Sequence, residues 1–409
     1  MEILNGIRVI EVTEWGFVPS CATVLADWGA DVIKIEHPAR GDAIRGLITS
    51  GMIPGAKGVN FFVEQLFRNK KSVGIDFTKE AGRELLYKLV EKADIFVTSF
   101  LPEARERLMI TYEDLKKINP KIIYARGHGQ GQKGPDANRG GYDGLSFWAR
   151  GGVVDVLTPP GQPFIQQRPA FGDFTGGMFL AGGIAGALFH RERTGQGIEV
   201  DVSLLGEAVW ILSPDIVAAM TYGFELPKGG SAGTPNALVA TYECGDGRHL
   251  VLMMLQHNRF WPIFAKALQR EDWLQDPRFN PDEERAKHGP ELLEELRAIF
   301  KTQPRPHWAE LLNDSECIWG PVQSPLEVVE DRQVKANGYI LEVDHPEHGK
   351  VRVAASPVQF SNEPPTMRNH APEIGADTET VLLEAGVSWE EMGALKEDCL
   401  LYTSDAADE

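Results

Sequence analysis

An aspartate at the predicted start of a glycine-rich helix is the residue whose chemistry needs explaining first. Asp173 lies in the segment PAFGDFTGG, residues 169–177. An aspartate there can cap the helix, because its carboxylate accepts hydrogen bonds from free backbone N–H groups. A carboxylate can also act as a nucleophile toward an acyl carbon. This stretch alone favours the cap.

Glycine residues crowd this predicted helix although they weaken it. Each one costs a helix interior about 0.5–1 kcal/mol relative to alanine. Small residues let another backbone, or a ligand, approach closely, and we expect such an approach here. The glycines concerned are Gly176, Gly177, Gly182, Gly183 and Gly186.

The elements that position Asp173 alternate between strand and helix in the first 130 residues. The predicted strands cover residues 7–12, 30–36, 72–77, 94–100 and 121–127, and the predicted helices cover residues 19–29, 78–93 and 111–120. Strands that alternate with helices form a parallel sheet. We therefore predict an α/β fold with a doubly wound, Rossmann-like parallel sheet.

The chain is long enough for two domains. We predict a large α/β domain over residues 1–215 and a smaller α+β domain over residues 216–330. Residues 331–398 return to the large domain, with a β-hairpin over residues 339–360 and two terminal helices.

The last eleven residues, CLLYTSDAADE (399–409), resemble the translation of a sequencing adapter. We interpret them as a non-native tail and leave them out of the predicted fold. A genuine polar tail is the alternative.

Composition limits the classes of protein that this chain can belong to. The chain has 409 residues and a formal net charge of −18, which argues against nonspecific binding to nucleic acid. It has no apolar stretch of about 18 residues and no signal-peptide pattern, so we expect a cytoplasmic protein without a membrane partner. Its four cysteines are not paired at metal spacing, and we predict no metal site.

Common nucleotide and zinc motifs do not explain Asp173. The loop after the first predicted strand lacks GxGxxG, and the chain lacks the P-loop and HExxH patterns. A dinucleotide site and a zinc-peptidase site are therefore poorly supported.

Six segments in one order resemble the class III CoA-transferases, which include formyl-CoA transferase, carnitine CoA-transferases and α-methylacyl-CoA racemase. The segments are residues 25–46, 69–77, 118–130, 169–177, 187–205 and 372–382. The resemblance covers nearly all of residues 4–398. It implies an interlocked homodimer, acyl-CoA and carboxylic acid substrates, and no cofactor besides CoA as a part of the substrate.

The resemblance also implies that Asp173 is the catalytic nucleophile. Its carboxylate would attack an acyl-CoA thioester and form a mixed anhydride, and CoA would then return to give an aspartyl-CoA thioester. An acceptor carboxylate would take the CoA from there. We expect the helix N-terminus to keep Asp173 ionised and to offer N–H groups to the oxyanion.

By the same resemblance, several residues would contact CoA. Arg107 matches an arginine that meets a phosphate, a group that the guanidinium fork suits. His37 and Thr78 stand where relatives carry an arginine and a lysine, so nearby arginines could compensate. The predicted CoA contacts are His37, Arg40, Arg45, Ile75, Thr78, Arg107 and Leu108.

The loop after the first strand predicts the size of the acyl group. Gly16 stands where formyl-CoA transferase has a glutamine, and Trp15 and Phe17 flank it. These apolar side chains indicate an acyl group larger than formyl or oxalyl, unless they are core aromatics. Gly229 and Gly230 resemble the family's mobile active-site loop, with a plain interdomain linker as the alternative.

A racemase is the alternative enzyme, because it shares the fold and the CoA ligand. It needs two acid–base groups on opposite sides of the α-carbon. Tyr142 occupies the position of the racemase histidine and is a poor base near neutral pH, while His128 fits a loop residue and Asp143 a helix cap. We therefore favour a transferase. A non-catalytic CoA-binding protein is a further alternative.

Overall fold

A mostly parallel sheet carries the N-terminal half of the chain. The protein is described by a computed structural model, which covers residues 2–51, 58–228, 236–398 and 400–403. The strands of the sheet are β1 (Arg8–Val12), β2 (Asp31–Glu36), β3 (Lys70–Ile75), β4 (Ile95–Thr98), β5 (Ile123–His128), β6 (Glu199–Ser203) and β12 (Leu401–Tyr402). They lie in the order β12-β3-β2-β1-β4-β5-β6, and β12 alone is antiparallel to its neighbour. The predicted parallel sheet is therefore confirmed.

Helices cover both faces of this sheet. Successive residues of a strand point to opposite faces, so Val9 and Ile10 belong to two different buried clusters. The first cluster contains the buried sides of α1 (Phe17–Asp27) and α8 (Phe171–Thr194). The second contains those of α4 (Glu80–Glu91), α17 (Thr378–Glu384) and α18 (Trp389–Glu397). This arrangement is that of a doubly wound sheet.

The remaining helices and strands complete the two compact units of the chain. The larger unit comprises Met1–Asp155, Phe164–Phe224 and Arg332–Glu409, and the smaller comprises Val156–Pro163 and Glu225–Asp331. The other helices are α2 (Gly46–Thr49), α3 (Phe61–Phe67), α5 (Pro102–Leu108), α6 (Tyr112–Ile118), α7 (Val153–Leu157), α9 (Leu204–Ile211), α10 (Ser213–Tyr222), α11 (His257–Ala267), α12 (Asp282–Lys287), α13 (Gly289–Phe300), α14 (Arg305–Asn313), α15 (Pro325–Glu330) and α16 (Arg332–Ala336), with a π-helical turn at Gly144–Ala149 and 3₁₀ turns at Ala43–Arg45 and Glu271–Leu274. The other strands are β7 (Val239–Glu243), β8 (His249–Met253), β9 (Trp319–Pro321), β10 (Ile340–His345) and β11 (Gly349–Ala354).

The smaller unit has its own core. Strands β7, β8 and β9 form an antiparallel sheet. Aromatic side chains fill the space between this sheet and the helices, with Trp261 and Trp273 stacked at 5.6 Å. The predicted start of this domain at residue 216 falls inside α10, which the structure keeps with the larger unit.

Residues 400–403 correct the prediction that the last eleven residues stay out of the fold. Leu401 and Tyr402 pair with Ile75 and Gly74 at the edge of the sheet. The Thr378 hydroxyl donates to the Tyr402 carbonyl at 2.7 Å, and Leu401 is buried. The segment is apolar enough to cover an otherwise open strand edge. Its origin as an adapter stays a prediction.

Across the described residues, no single helix has the length and apolar composition to cross a membrane. The pair α9 and α10 passes that test together, but it bends by 72° between the two helices.

Glycines on α8 allow that helix to touch α1 directly. A Cβ on Gly177 would overlap the Ser20 hydroxyl and lie 2.9 Å from the Cys21 amide nitrogen. A Cβ on Gly183 would likewise overlap the Val200 side chain, whereas a Cβ on Gly182 would have nothing within 4 Å among the described residues. The close approach expected from the sequence is thus found on one face of the helix.

We predict opposite effects for two alanine substitutions on this helix. Gly177→Ala should lower the free energy of unfolding by about 1–3 kcal/mol, because the added methyl overpacks the contact with α1. The control Gly182→Ala should leave it unchanged or raise it by about 0.5–1 kcal/mol through helix propensity. Urea unfolding of both variants measures the difference, and equal stabilities would contradict the packing account.

Candidate active site

Asp173 lies in the first turn of α8, and a different carboxylate caps this helix. The residue before α8, Ala170, has φ of 64°, so the chain turns sharply into the helix. Ala170, at the N-cap position, has no side chain that could cap the helix, and Asp173 lies three residues further on, within the first turn. Instead both oxygens of Asp143 accept the Gly172 N–H at 3.1 Å. The assignment of Asp173 as a cap is therefore wrong. Asp143 caps α8 from a distant segment. Its sequence context predicts a cap on the turn that follows it, Gly144–Ala149, but its side chain makes no capping hydrogen bond to that turn.

The environment of Asp173 favours its protonated form. Burial, followed by the negative charge of Asp143, raises the pKa of Asp173 to about 7. The expectation that the helix N-terminus keeps Asp173 ionised is wrong for this free chain. Burial is the larger reason, and Asp143 adds to it because it takes the Gly172 amide at the first turn of α8 and contributes its own negative charge. A carboxyl group with such a pKa can switch between acid and nucleophile near neutral pH.

The Asp173 carboxyl group lies in a cavity of about 190 Å³ at the carboxyl ends of β1, β4 and β5. Gly16 lies directly against this carboxyl group, where any Cβ would overlap the Asp173 oxygen. Tyr142 packs edge-on against Trp15 with ring centroids 5.5 Å apart. The cavity is lined by Glu14, Trp15, Phe17, Ser99, Leu101, Gly127, His128, Gly129, Gly140, Gly141, Tyr142, Asp173 and Leu204.

A buried ion pair supports the loop that carries Trp15. Trp15 has φ of 73°, a strained value for a residue with a side chain. Its N–H donates to Asp42 at 3.1 Å, and Asp42 is held by Lys34 at 2.8 Å. Both partners are almost fully buried, so the pair has little freedom to move. The loop therefore holds Trp15 at the cavity and Gly16 against the Asp173 carboxyl group in a fixed position.

His128 corrects the sequence analysis, which assigned it to a loop. It is the last residue of β5 and lines the cavity with Asp173. Its Nδ1 accepts the Gly131 N–H at 3.0 Å, so Nε2 carries the proton that faces Asp201 at 2.9 Å. Both ring nitrogens are thus engaged, and neither is free to remove a proton from a substrate.

Glu207 is a buried carboxyl group that sequence analysis missed. It belongs to α9 and accepts a hydrogen bond from Thr175, while its Oε2 has no partner among the described residues. Burial, with the nearby charges of Asp143 and Asp173, raises the pKa of Glu207 to about 8. Three carboxyl groups therefore share this site, and their titrations are coupled. Glu207 can be recognised as the third group only from the contact between α8 and α9 in the folded chain.

A second cavity, of about 310 Å³, collects most of the predicted CoA contacts. It opens at the carboxyl ends of β1, β2 and β3, beside the point where the strand order reverses between β1 and β4. Open α/β sheets bind ligands at such a point. The predicted contacts that line it are His37, Arg40, Ile75, Thr78, Arg107 and Leu108. Glu14 lines both cavities, so they adjoin at this residue.

Arg45 is the predicted CoA contact that the structure places elsewhere. Its guanidinium binds both oxygens of Glu36, at 2.8 and 2.7 Å, and donates to the Pro372 carbonyl at 3.0 Å. Burial disfavours the Glu36 carboxylate, but the hydrogen bond and charge of Arg45 prevail and hold its pKa at about 2. Arg45 is therefore committed to a structural ion pair and is not available to a phosphate. Gly229 and Gly230 lie outside the described residues.

Comparison with known proteins agrees with this geometry. The sequence matches the family described as CoA-transferase family III over residues 4–378. It is 33% identical over 396 residues to the (R)-2-hydroxy-4-methylpentanoate CoA-transferase of Clostridioides difficile, covering 97% of this chain and 98% of that protein. It is 32% identical over 402 residues to the cinnamoyl-CoA:phenyllactate CoA-transferase of Clostridium sporogenes, covering 97% and 96%.

The fold is shared with a solved structure as well. The crystal structure of a CAIB/BAIF family protein from Brucella suis matches with a TM-score of 0.80 at 28% identity, covering 93% of this chain and 99% of that one. The chain therefore belongs to CoA-transferase family III and is an enzyme of that class. The resemblance seen in the six sequence segments is confirmed.

The raised pKa of Asp173 predicts how the melting temperature changes with pH. An aspartate in the unfolded chain has a pKa of about 3.9, so the stability that protonated Asp173 contributes is present below about pH 4 and is lost as pH rises through about 7. Asp173→Asn removes the buried charge and should raise the melting temperature at pH 8, with a smaller gain at pH 5. Calorimetry at both pH values measures this. The exposed control Asp344→Asn should show no such pH-dependent gain, and an equal response of both variants would refute the assignment.

Proposed function

We propose that the enzyme moves CoA from an acyl-CoA thioester to a free carboxylic acid through covalent intermediates on Asp173. One observation carries the proposal: an ionisable, half-buried carboxyl group lies in an apolar cavity that adjoins the predicted CoA cavity at Glu14. The class of enzyme is that of the family to which the chain belongs.

The proposed reaction proceeds in steps that conserve every atom. The ionised Asp173 attacks the thioester carbonyl, the C–S bond breaks, and an aspartyl–acyl anhydride and CoA thiolate form. The thiolate attacks the aspartyl carbonyl, releases the first acid as a carboxylate and leaves an aspartyl-CoA thioester. An acceptor carboxylate then repeats the two steps in reverse order and leaves as the new CoA ester. Asp173 ends as the carboxylate with which it began.

We propose branched or phenyl-bearing acids as the substrates. Trp15, Phe17 and Leu101 give the cavity an apolar wall, and Tyr142 narrows it beside Trp15. Such a surface gains free energy from apolar groups that a formyl or oxalyl group does not have. The two relatives with 33% and 32% identity are named for a branched and a phenyl-bearing acid, which agrees with this wall.

We also propose a homodimer, interlocked as the family resemblance implies. Large apolar side chains on α8, α9 and α10 are exposed in the single chain, as expected of a surface that a partner covers. They include Phe189, Trp210, Met220 and Tyr222, with exposed fractions of 67%, 69%, 74% and 70%. Sedimentation of the purified chain tests this, and a monomer mass would contradict it.

Two arginine variants separate CoA binding from stability. Arg107 is exposed at the CoA cavity, so Arg107→Gln should raise KM for acyl-CoA by about tenfold, because a charge-assisted phosphate contact is worth about 1.5–3 kcal/mol. Its melting temperature should stay unchanged. Arg45→Gln should instead lower the melting temperature and leave KM for acyl-CoA unchanged, since it leaves buried Glu36 without its partner. Steady-state kinetics and thermal unfolding of both variants measure this; a KM effect confined to Arg45→Gln would overturn the assignment.

One assay tests the reaction and identifies its substrates. The enzyme is incubated in D₂O with a set of acyl-CoA thioesters and a pool of carboxylic acids, and the CoA esters are identified by mass spectrometry. New CoA esters of branched or phenyl-bearing acids should form with the wild type and be absent with the isosteric Asp173→Asn. Deuterium at the α-carbon without a new ester would instead indicate a racemase. Formyl-CoA or oxalyl-CoA as the preferred donor would contradict the proposed substrate class.

A further inference from the structure

A carboxylate and two histidines meet in the larger unit, away from both cavities. Glu64 belongs to α3, His345 ends β10, and His370 lies in the segment before α17. Their ligand atoms all lie within 4.8 Å of one another. These residues are far apart in the sequence, so no spacing motif could reveal the cluster.

Glu64 needs a positive partner. Its side chain is almost fully buried, and one oxygen accepts the Ala371 N–H at 3.2 Å. Within the described residues, no lysine or arginine forms an ion pair with it, and His345 Nε2 lies 3.8 Å from its Oε1. A buried carboxylate without a cation is costly. A cation beside ionised Glu64, either a protonated histidine or a metal ion, would offset this cost.

The orientation of His370 favours the metal ion. Its Nδ1 lies 2.8 Å from the Ala371 carbonyl, which can only accept, so Nδ1 carries a proton. Metal-binding histidines commonly donate one ring N–H to a backbone carbonyl in this way and bind the metal through the other nitrogen. The His345 and His370 rings are 4.5 Å apart, which leaves their remaining nitrogens close to Glu64.

We propose that Glu64, His345 and His370 form a binding site for a divalent transition-metal ion, with Zn²⁺ as the preferred ion. Two imidazoles and one carboxylate are a common zinc ligand set, and water completes the tetrahedron. At present the exposed Glu347 N–H donates a hydrogen bond to His345 Nδ1. Metal binding through Nε2 would place the ring's proton on Nδ1, so this hydrogen bond would be lost. The ion links α3 to the β10–β11 hairpin and to the segment that precedes α17.

Metal titration of the full-length protein tests this proposal. The protein is first dialysed against chelator, and Zn²⁺ is then titrated by calorimetry, with Co²⁺ as a spectroscopic probe of tetrahedral geometry. One ion should bind per chain, raise the melting temperature and give a visible Co²⁺ spectrum. Glu64→Gln and His370→Gln should each weaken Zn²⁺ binding by at least about tenfold. The matched control His307→Gln alters an exposed histidine outside the cluster and should bind as the wild type does.

Several results would overturn the site. The wild type could fail to bind Zn²⁺ saturably, or Co²⁺ could give only the spectrum of the hydrated ion. Binding by Glu64→Gln and His370→Gln that equals binding by His307→Gln would also refute it. If a variant does not fold, the wild-type Co²⁺ spectrum still decides, because it reports ligand geometry without any substitution.

Discussion

The active site depends on one constraint: a carboxyl group must be buried away from water and still be able to ionise. Asp173 meets it by lying against Gly16, where the absence of a side chain makes room for its oxygens. Burial raises its pKa to about 7, and the charge of Asp143 adds to that effect. Asp143 in turn caps α8 and so holds the helix that carries Asp173. The same neighbour therefore positions the reactive group and tunes its proton affinity.

Contacts between the surrounding elements hold that carboxylate in place. Helix α8 reaches α1 through Gly177, and the Ser20 hydroxyl donates to the Asp173 carbonyl at 2.9 Å. The loop before α1 is tied down by Asp42 and Lys34. Because residues at the carboxyl ends of adjacent parallel strands line both cavities, the reactive group and the adjoining CoA cavity lie at the same edge of the sheet.

The sequence predicts β1 to β5 of the sheet because strand and helix periodicities are local properties, but it does not predict β6 or β12. The strands and helices predicted within residues 7–127 are all found, and the hairpin predicted within residues 339–360 is found as well. Asp173 stands out through its glycine-rich context. What the sequence could not predict depends on contacts between distant segments: Arg45 pairs with Glu36 rather than facing CoA, and Glu207 reaches Asp173 from another helix.

The most direct test of the account is the mass of the peptide that contains Asp173 after a brief exposure to acyl-CoA alone. The enzyme is mixed with the thioester without any acceptor acid, quenched in acid, digested and analysed by mass spectrometry. The account predicts a CoA thioester on Asp173, since the first acid can leave and no acceptor is present to remove the CoA. A wild type that transfers CoA while this peptide stays unmodified would contradict covalent catalysis by Asp173.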